Sequence, residues 1–149
     1  MAGNLSTKKR LLIASDHAGF AVKKQLIETM PQFEWVDLGP QDDERVDYPD
    51  FADQLARRVL CDGGQGVLIC GSGQGMAMRA NRYPGIRAAL AWSEDSARLA
   101  REHNNANVIC FGARLLPVET IRRLIEIFVS TPFEGGRHVA RVEKLDRGI

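Results

Sequence analysis

A doubly wound α/β domain on a five-stranded parallel sheet is the fold the sequence predicts, and three observations predict it. Short apolar runs alternate with amphipathic stretches along the chain, the pattern of repeated βαβ units. The middle run, VLIC at 67–70, is apolar without alternation, as an inner strand covered on both faces must be. It breaks straight into Gly71, Gly73 and Gly75 ahead of a helical pattern. Such a strand-to-helix junction is where open parallel sheets hold their ligands. Together these describe a three-layer α/β/α arrangement of the Rossmann-like, flavodoxin-like kind.

Strands are expected at 10–15, 34–38, 66–70, 86–91 and 107–111, each bounded by a turn signal. After Gly19, the residues Leu26, Ile27 and Met30 share one helical face, and Phe51, Leu55 and Val59 recur every fourth residue. Ser93 is a suitable N-cap for a helix through Arg101. Pro117 suits the first turn of a fifth helix, whose apolar stripe is Val118, Ile121, Leu124, Ile125, Phe128 and Val129. Residues 1–9 form a polar tail, expected to be disordered, and the basic run Lys8-Lys9-Arg10 closes it. Residues 10–149 make one domain that ends in a glycine- and arginine-rich C-terminal arm, expected to lie across a partner. No internal repeat, low-complexity tract or second domain is present in the sequence.

The 149 residues carry 20 Lys and Arg against 19 Asp and Glu, so one domain with a sizeable core and no nucleic-acid footprint is expected. No segment approaches the roughly 20 apolar residues of a membrane span, and 11–14 is too short for a signal-peptide core. A cytoplasmic location and no membrane partner follow as expectations. Cys61, Cys70 and Cys110 are odd in number and lack CxxC spacing, which points to neither a disulfide framework nor a zinc site. Reduced thiols suit the cytosol.

Chemistry is sought first at Cys70. A free cysteine at a strand end is commonly a small buried hydrophobe, but this one opens onto a glycine loop whose backbone N–H groups can face an anion. Thiols beside a helix N-terminus or a cation ionise more readily, so a base next to an oxyanion hole is the reading this junction supports. The loop is GxGxG rather than GxGxxG, no Gly-Lys-Ser/Thr follows, and two positions before Ser72 stands Cys70 where a nucleophile elbow has glycine. Dinucleotide site, P-loop and serine hydrolase all fit poorly, and Glu94 reads as a helix-start carboxylate. The other polar residues at element ends are Asp16-His17-Ala18-Gly19 and His103-Asn104-Asn105.

These landmarks resemble those of ribose-5-phosphate isomerase type B and the related galactose-6-phosphate isomerase subunits. The resemblance runs through Ser15 to Phe20, Asp47-Tyr48-Pro49, Cys70-Gly71-Ser72-Gly73, Asn81 to Ala88, His103-Asn104, Phe111 to Arg114 and Phe133 to His138, all but the tail and the last few residues. It implies interconversion of ribose 5-phosphate and ribulose 5-phosphate through an enediolate, without metal or organic cofactor. On this resemblance Cys70 is the base, His103 the ring-opening acid, Ser72 a proton relay and Asp16 a catalytic contact near the sugar hydroxyls. Substrate contacts fall to Asp16, His17, Tyr48, Gly71, Ser72, Gly73, Gln74, Gly75, Asn104 and Arg114, and phosphate to His17, Arg137 and Arg141. Tyr48 either lines the sugar pocket or packs beneath it. The resemblance also implies a homodimer whose subunits share each active site, and leaves open whether two dimers pair into a tetramer. Gln74 and Arg79 depart from the family pattern, and Arg79 is expected to face solvent or add charge near an interface. Two alternatives stay open: a hexose 6-phosphate isomerase acting on allose or galactose 6-phosphate, and a non-catalytic phosphosugar-binding protein on the same scaffold. Thiol redox chemistry lacks a resolving cysteine at motif spacing.

Overall fold

The computed structural model describes residues 7–149. Five strands and six helices follow one another as β1 (Lys9–Ser15), α1 (Phe20–Thr29), β2 (Phe33–Asp37), α2 (Tyr48–Asp62), β3 (Gln65–Cys70), α3 (Gln74–Ala80), β4 (Ala88–Leu90), α4 (Glu94–Glu102), β5 (Val108–Gly112), α5 (Val118–Ser130) and α6 (His138–Leu145). The sheet is parallel throughout, in the order β2-β1-β3-β5-β4. Relative to the flavodoxin order 2-1-3-4-5, the last two strands exchange places, so β4 rather than β5 is the edge opposite β2. After β2 the chain crosses β1 to lay down β3 on its other side, and the crevice above the carboxyl ends of β1 and β3 is the switch point.

Alternation along each inner strand divides the core in two. Leu11, Ile13, Val67, Ile69, Ile109 and Phe111 face α1, α4 and α5, whose Leu26, Ala97, Ala100, Ile121, Leu124, Ile125 and Phe128 cover them. Leu12, Ala14, Leu68, Cys70, Val108 and Cys110 face α2 and α3 through Ala52, Leu55, Val59, Met76 and Ala80. The apolar run at 67–70 is therefore buried on both faces.

Several expectations shift at their edges. The strand expected at 86–91 shortens to β4, because Ile86 N–H turns back to the Tyr83 carbonyl and Arg87 N–H is taken by the Asn107 side chain. Ser93 does cap α4, in a reciprocal capping box with Ser96. Pro117 is the extended N-cap of α5 rather than a residue of its first turn. The disordered tail expected over 1–9 lies, for 1–6, outside the described residues, and Lys9 already belongs to β1. The C-terminal arm is in large part a helix docked on its own chain: α6 buries His138 and Val142, and Asp146 receives the Arg87 guanidinium at 2.9 Å.

Candidate active site

The first group of candidate residues converges on the switch point. Cys70 ends β3 and is 5% exposed, and the Gly73 N–H donates to its Sγ at 3.1 Å, fixing the sulfur beneath the loop. The glycines here are demanded by close packing. Gly73 has φ +80°, and a Cβ on it would come within 2.7 Å of both Leu90 and the Phe111 backbone. The Tyr48 ring lies against Gly75 in the space a side chain there would need, so Tyr48 buttresses the loop while staying 39% exposed. Gln74, exposed at the start of α3, donates its N–H to Ser72 Oγ at 3.3 Å. By helix geometry the amides of Gly75 and Met76 then have no acceptor in the preceding turn.

Around this loop stand the residues from β1 and β5. Asp16, buried after β1, accepts the Gly19 N–H at 3.0 Å on Oδ1, and its own N–H reaches the Ile69 carbonyl. That second bond stitches the end of β1 to the end of β3. His17 Nδ1 accepts the Val46 N–H at 3.3 Å, which implies that its other ring nitrogen carries the proton when the ring is neutral. Arg114 follows β5: its N–H donates to the Gly71 carbonyl, and its guanidinium hangs over Gly71, 3.0 Å from where a Cβ would sit. Behind Cys70, burial and then the nearby Cys70 charge push the Cys110 thiol well above the ordinary range, so Cys110 stays protonated.

The second group sits elsewhere. His103 is the C-cap of α4 and Asn104 is exposed just beyond it. The chain then enters β5 from its amino end, where Asn107 bonds to the starts of β3 and β4. Cys70 pairs in register with Gly112 at the other end of β5, so the five residues of that strand separate the groups by roughly 15 Å. Arg137 and Arg141 join His103 rather than Cys70, one at the N-cap of α6 and the other a turn later. Both are exposed, and among the described residues neither forms an ion pair. The expected spacing of the two guanidinium groups on one side of a helix is what α6 supplies.

Two features were not legible in the sequence. Arg79 is exposed, as expected, but it also forks onto Asp53 through Nε and a terminal nitrogen at 2.6 and 3.1 Å, tying α3 to α2. That hydrogen bond holds the Asp53 carboxyl below its usual range. The ring of His138 is stacked on that of His103, 35 positions away, with centroids 4.3 Å apart. No local pattern signals such a contact.

Residues 11–145 match the Ribose/Galactose Isomerase family. The chain is 37% identical over 142 residues to ribose-5-phosphate isomerase B of Escherichia coli, covering 92% of this chain and 94% of the relative. It is 44% identical to a probable ribose-5-phosphate isomerase B of Mycoplasma genitalium, covering 92% and 93%. Among solved structures, type B ribose 5-phosphate isomerase of Trypanosoma brucei superposes with a TM-score of 0.89 at 41% identity, over 94% of this chain and 98% of that one. The Clostridium thermocellum ribose-5-phosphate isomerase B also gives 0.89, at 36% identity over 92% and 95%. A match over nearly the whole described chain, in sequence and in fold, means that this protein belongs to the ribose/galactose isomerase family of enzymes.

Proposed function

We propose that the protein interconverts D-ribose 5-phosphate and D-ribulose 5-phosphate, with Cys70 as the base. The observation that carries this reading is the placement of Cys70 Sγ beneath the glycine loop, hydrogen-bonded to the amide of Gly73, the residue from which α3 starts. The aldose arrives as a closed ring. His103 donates a proton to the ring oxygen as the anomeric hydroxyl releases one to solvent, and the chain opens. Cys70 then takes the C2 proton, and the electron pair moves through C1 onto the carbonyl oxygen. The loop amides receive that charge, a role in which losing one donor costs on the order of 3 kcal/mol of barrier in other enzymes. Ser72 relays a proton between the two oxygens, the thiol returns its proton to C1, and the ketose results. Asp16, with Asn104 and Arg114, orients the sugar hydroxyls, and His17, Arg137 and Arg141 hold the phosphate.

A single chain separates these parts, and that separation supports a homodimer in which the Cys70 loop of one subunit meets the His103 end of another. A groove beside Asn104, lined by Leu90, Leu99 and a 65% exposed Trp92, is the surface assigned to the second copy. An aldose-to-ketose assay in chelator tests the reaction, with ribose 5-phosphate beside allose 6-phosphate and galactose 6-phosphate. Ribose 5-phosphate is expected to turn over fastest. Cys70→Ala is expected to fold normally and lose about a hundredfold or more in kcat, while Arg137→Ala mainly raises KM. Binding of the phosphosugars without turnover would make this a phosphosugar-binding protein instead.

A further inference from the structure

His138 is the one histidine to which the sequence assigns no task, and it is the most buried of the three, 5% exposed at the start of α6. Its ring covers that of His103 at a centroid distance of 4.3 Å and an interplanar angle of 15°. Its Nε2 lies 3.4 Å from Glu134 Oε2 but off the line of the N–H bond, so that buried nitrogen has no hydrogen-bond partner. One arrangement that would use these groups is a metal site, since ligand atoms of His103, Glu134 and His138 lie within 4.8 Å of one another. The stack argues against it. A ligated cation lies in the plane of each imidazole it binds, and two nearly parallel rings 4.3 Å apart share no such point.

The backbone instead shows a built clamp. The Glu134 N–H donates to the Glu102 carbonyl at 3.1 Å, and Arg101 Nε to the Thr131 carbonyl at 3.1 Å, so the segment before α6 is pinned to the end of α4. The His103 N–H closes on Leu99 and the His138 N–H on Gly135. Both ring-bearing residues are thereby fixed at their backbones, and the buried ring limits where the half-exposed one can rotate.

We propose that His138 is a positioning residue for ring opening: by stacking on His103 it holds that imidazole in the one orientation from which it reaches the ring oxygen of a closed aldose phosphate. This rests on the reading of His103 as the ring-opening acid. General acid catalysis needs the donor within hydrogen-bond reach, and a ring free to rotate on an exposed cap spends little time there.

The test uses the fact that ribulose 5-phosphate, esterified at C5, cannot close a five-membered ring. Exchange of its C1 proton with solvent deuterium needs Cys70 but no ring opening, whereas net conversion of ribose 5-phosphate needs both. His138→Ala is expected to cut net conversion by about tenfold or more while exchange stays within about twofold. His138→Phe, which keeps a ring against His103, is expected to recover most of the conversion. Equal loss of both readouts, unchanged conversion in His138→Ala, or a Phe variant as impaired as the Ala one would each overturn the proposal. His103→Asn in parallel separates the two readings. If it too converts ribose 5-phosphate normally, the ring-opening assignment itself falls; if it is impaired and His138→Ala is not, only the stacking role falls.

Discussion

At the scale of single residues, the three thiols differ by where the fold puts them. Cys61 is exposed, Cys70 is nearly buried under the loop, and Cys110 is fully buried and held protonated. Alkylation followed by mass spectrometry is expected to modify Cys61 first without loss of activity, Cys70 more slowly with loss of activity, and Cys110 only on unfolding. Ribose 5-phosphate should protect Cys70 alone. The loop glycines set a second expectation. Gly73→Ala puts a Cβ at a left-handed φ of +80° and within 2.7 Å of backbone, so it should cost about 1–3 kcal/mol of stability, read as a fall in Tm. Cys70 and the glycines were legible in the sequence because a strand end and a sharp turn are local events. His138 was not, because a stack between the end of α4 and the start of α6 is set by tertiary packing alone.

At the scale of elements, two ion pairs hold the parts that carry the site. Lys23, 1% exposed in α1, bonds Asp37 at the end of β2 and the Pro40 carbonyl, both at 2.7 Å. Lys23→Met should cost about 3 kcal/mol in urea denaturation, the toll of leaving partly buried acceptors without their cation. The fork between Arg79 and Asp53 joins α2, which presents Tyr48, to α3, which carries the loop. Asp53 titrates below its ordinary 3.8, chiefly through the Arg79 hydrogen bond. Its contribution is therefore complete above the unfolded-state value and disappears as pH falls through the lower folded value. Asp53→Asn should lower stability by about 0.5–1 kcal/mol at pH 7, and the gap from the parent should close on acidification below that range. Helix and strand periodicity gave these elements in order. Boundaries such as the shortened β4 escaped it, because there a side chain of the neighbouring strand's approach, Asn107, takes the amide the ladder would have used.

At the scale of the molecule, the candidate site is divided between the two ends of one sheet. Strand order was not legible in the sequence, since which strand lies at the edge depends on crossover routes and not on any run of residues. The division yields a complementation test. In the proposed homodimer, Cys70→Ala and His103→Asn proteins, each crippled alone, should regain about a quarter of parental activity after subunit exchange. Half the dimers become mixed, and each mixed dimer has one intact site and one doubly damaged. Trp92→Glu should shift the protein to monomers in analytical ultracentrifugation and abolish turnover without unfolding it.

The roughly 15 Å that β5 sets between Cys70 and His103 also bears on inheritance. Under the shared-site reading, a cell carrying one sound copy and one copy lacking Cys70 keeps half its sites however the subunits pair, because each defective subunit spoils a single site and lends its intact His103 to the other. Two copies defective at opposite ends of the sheet would therefore sustain one another where either alone fails.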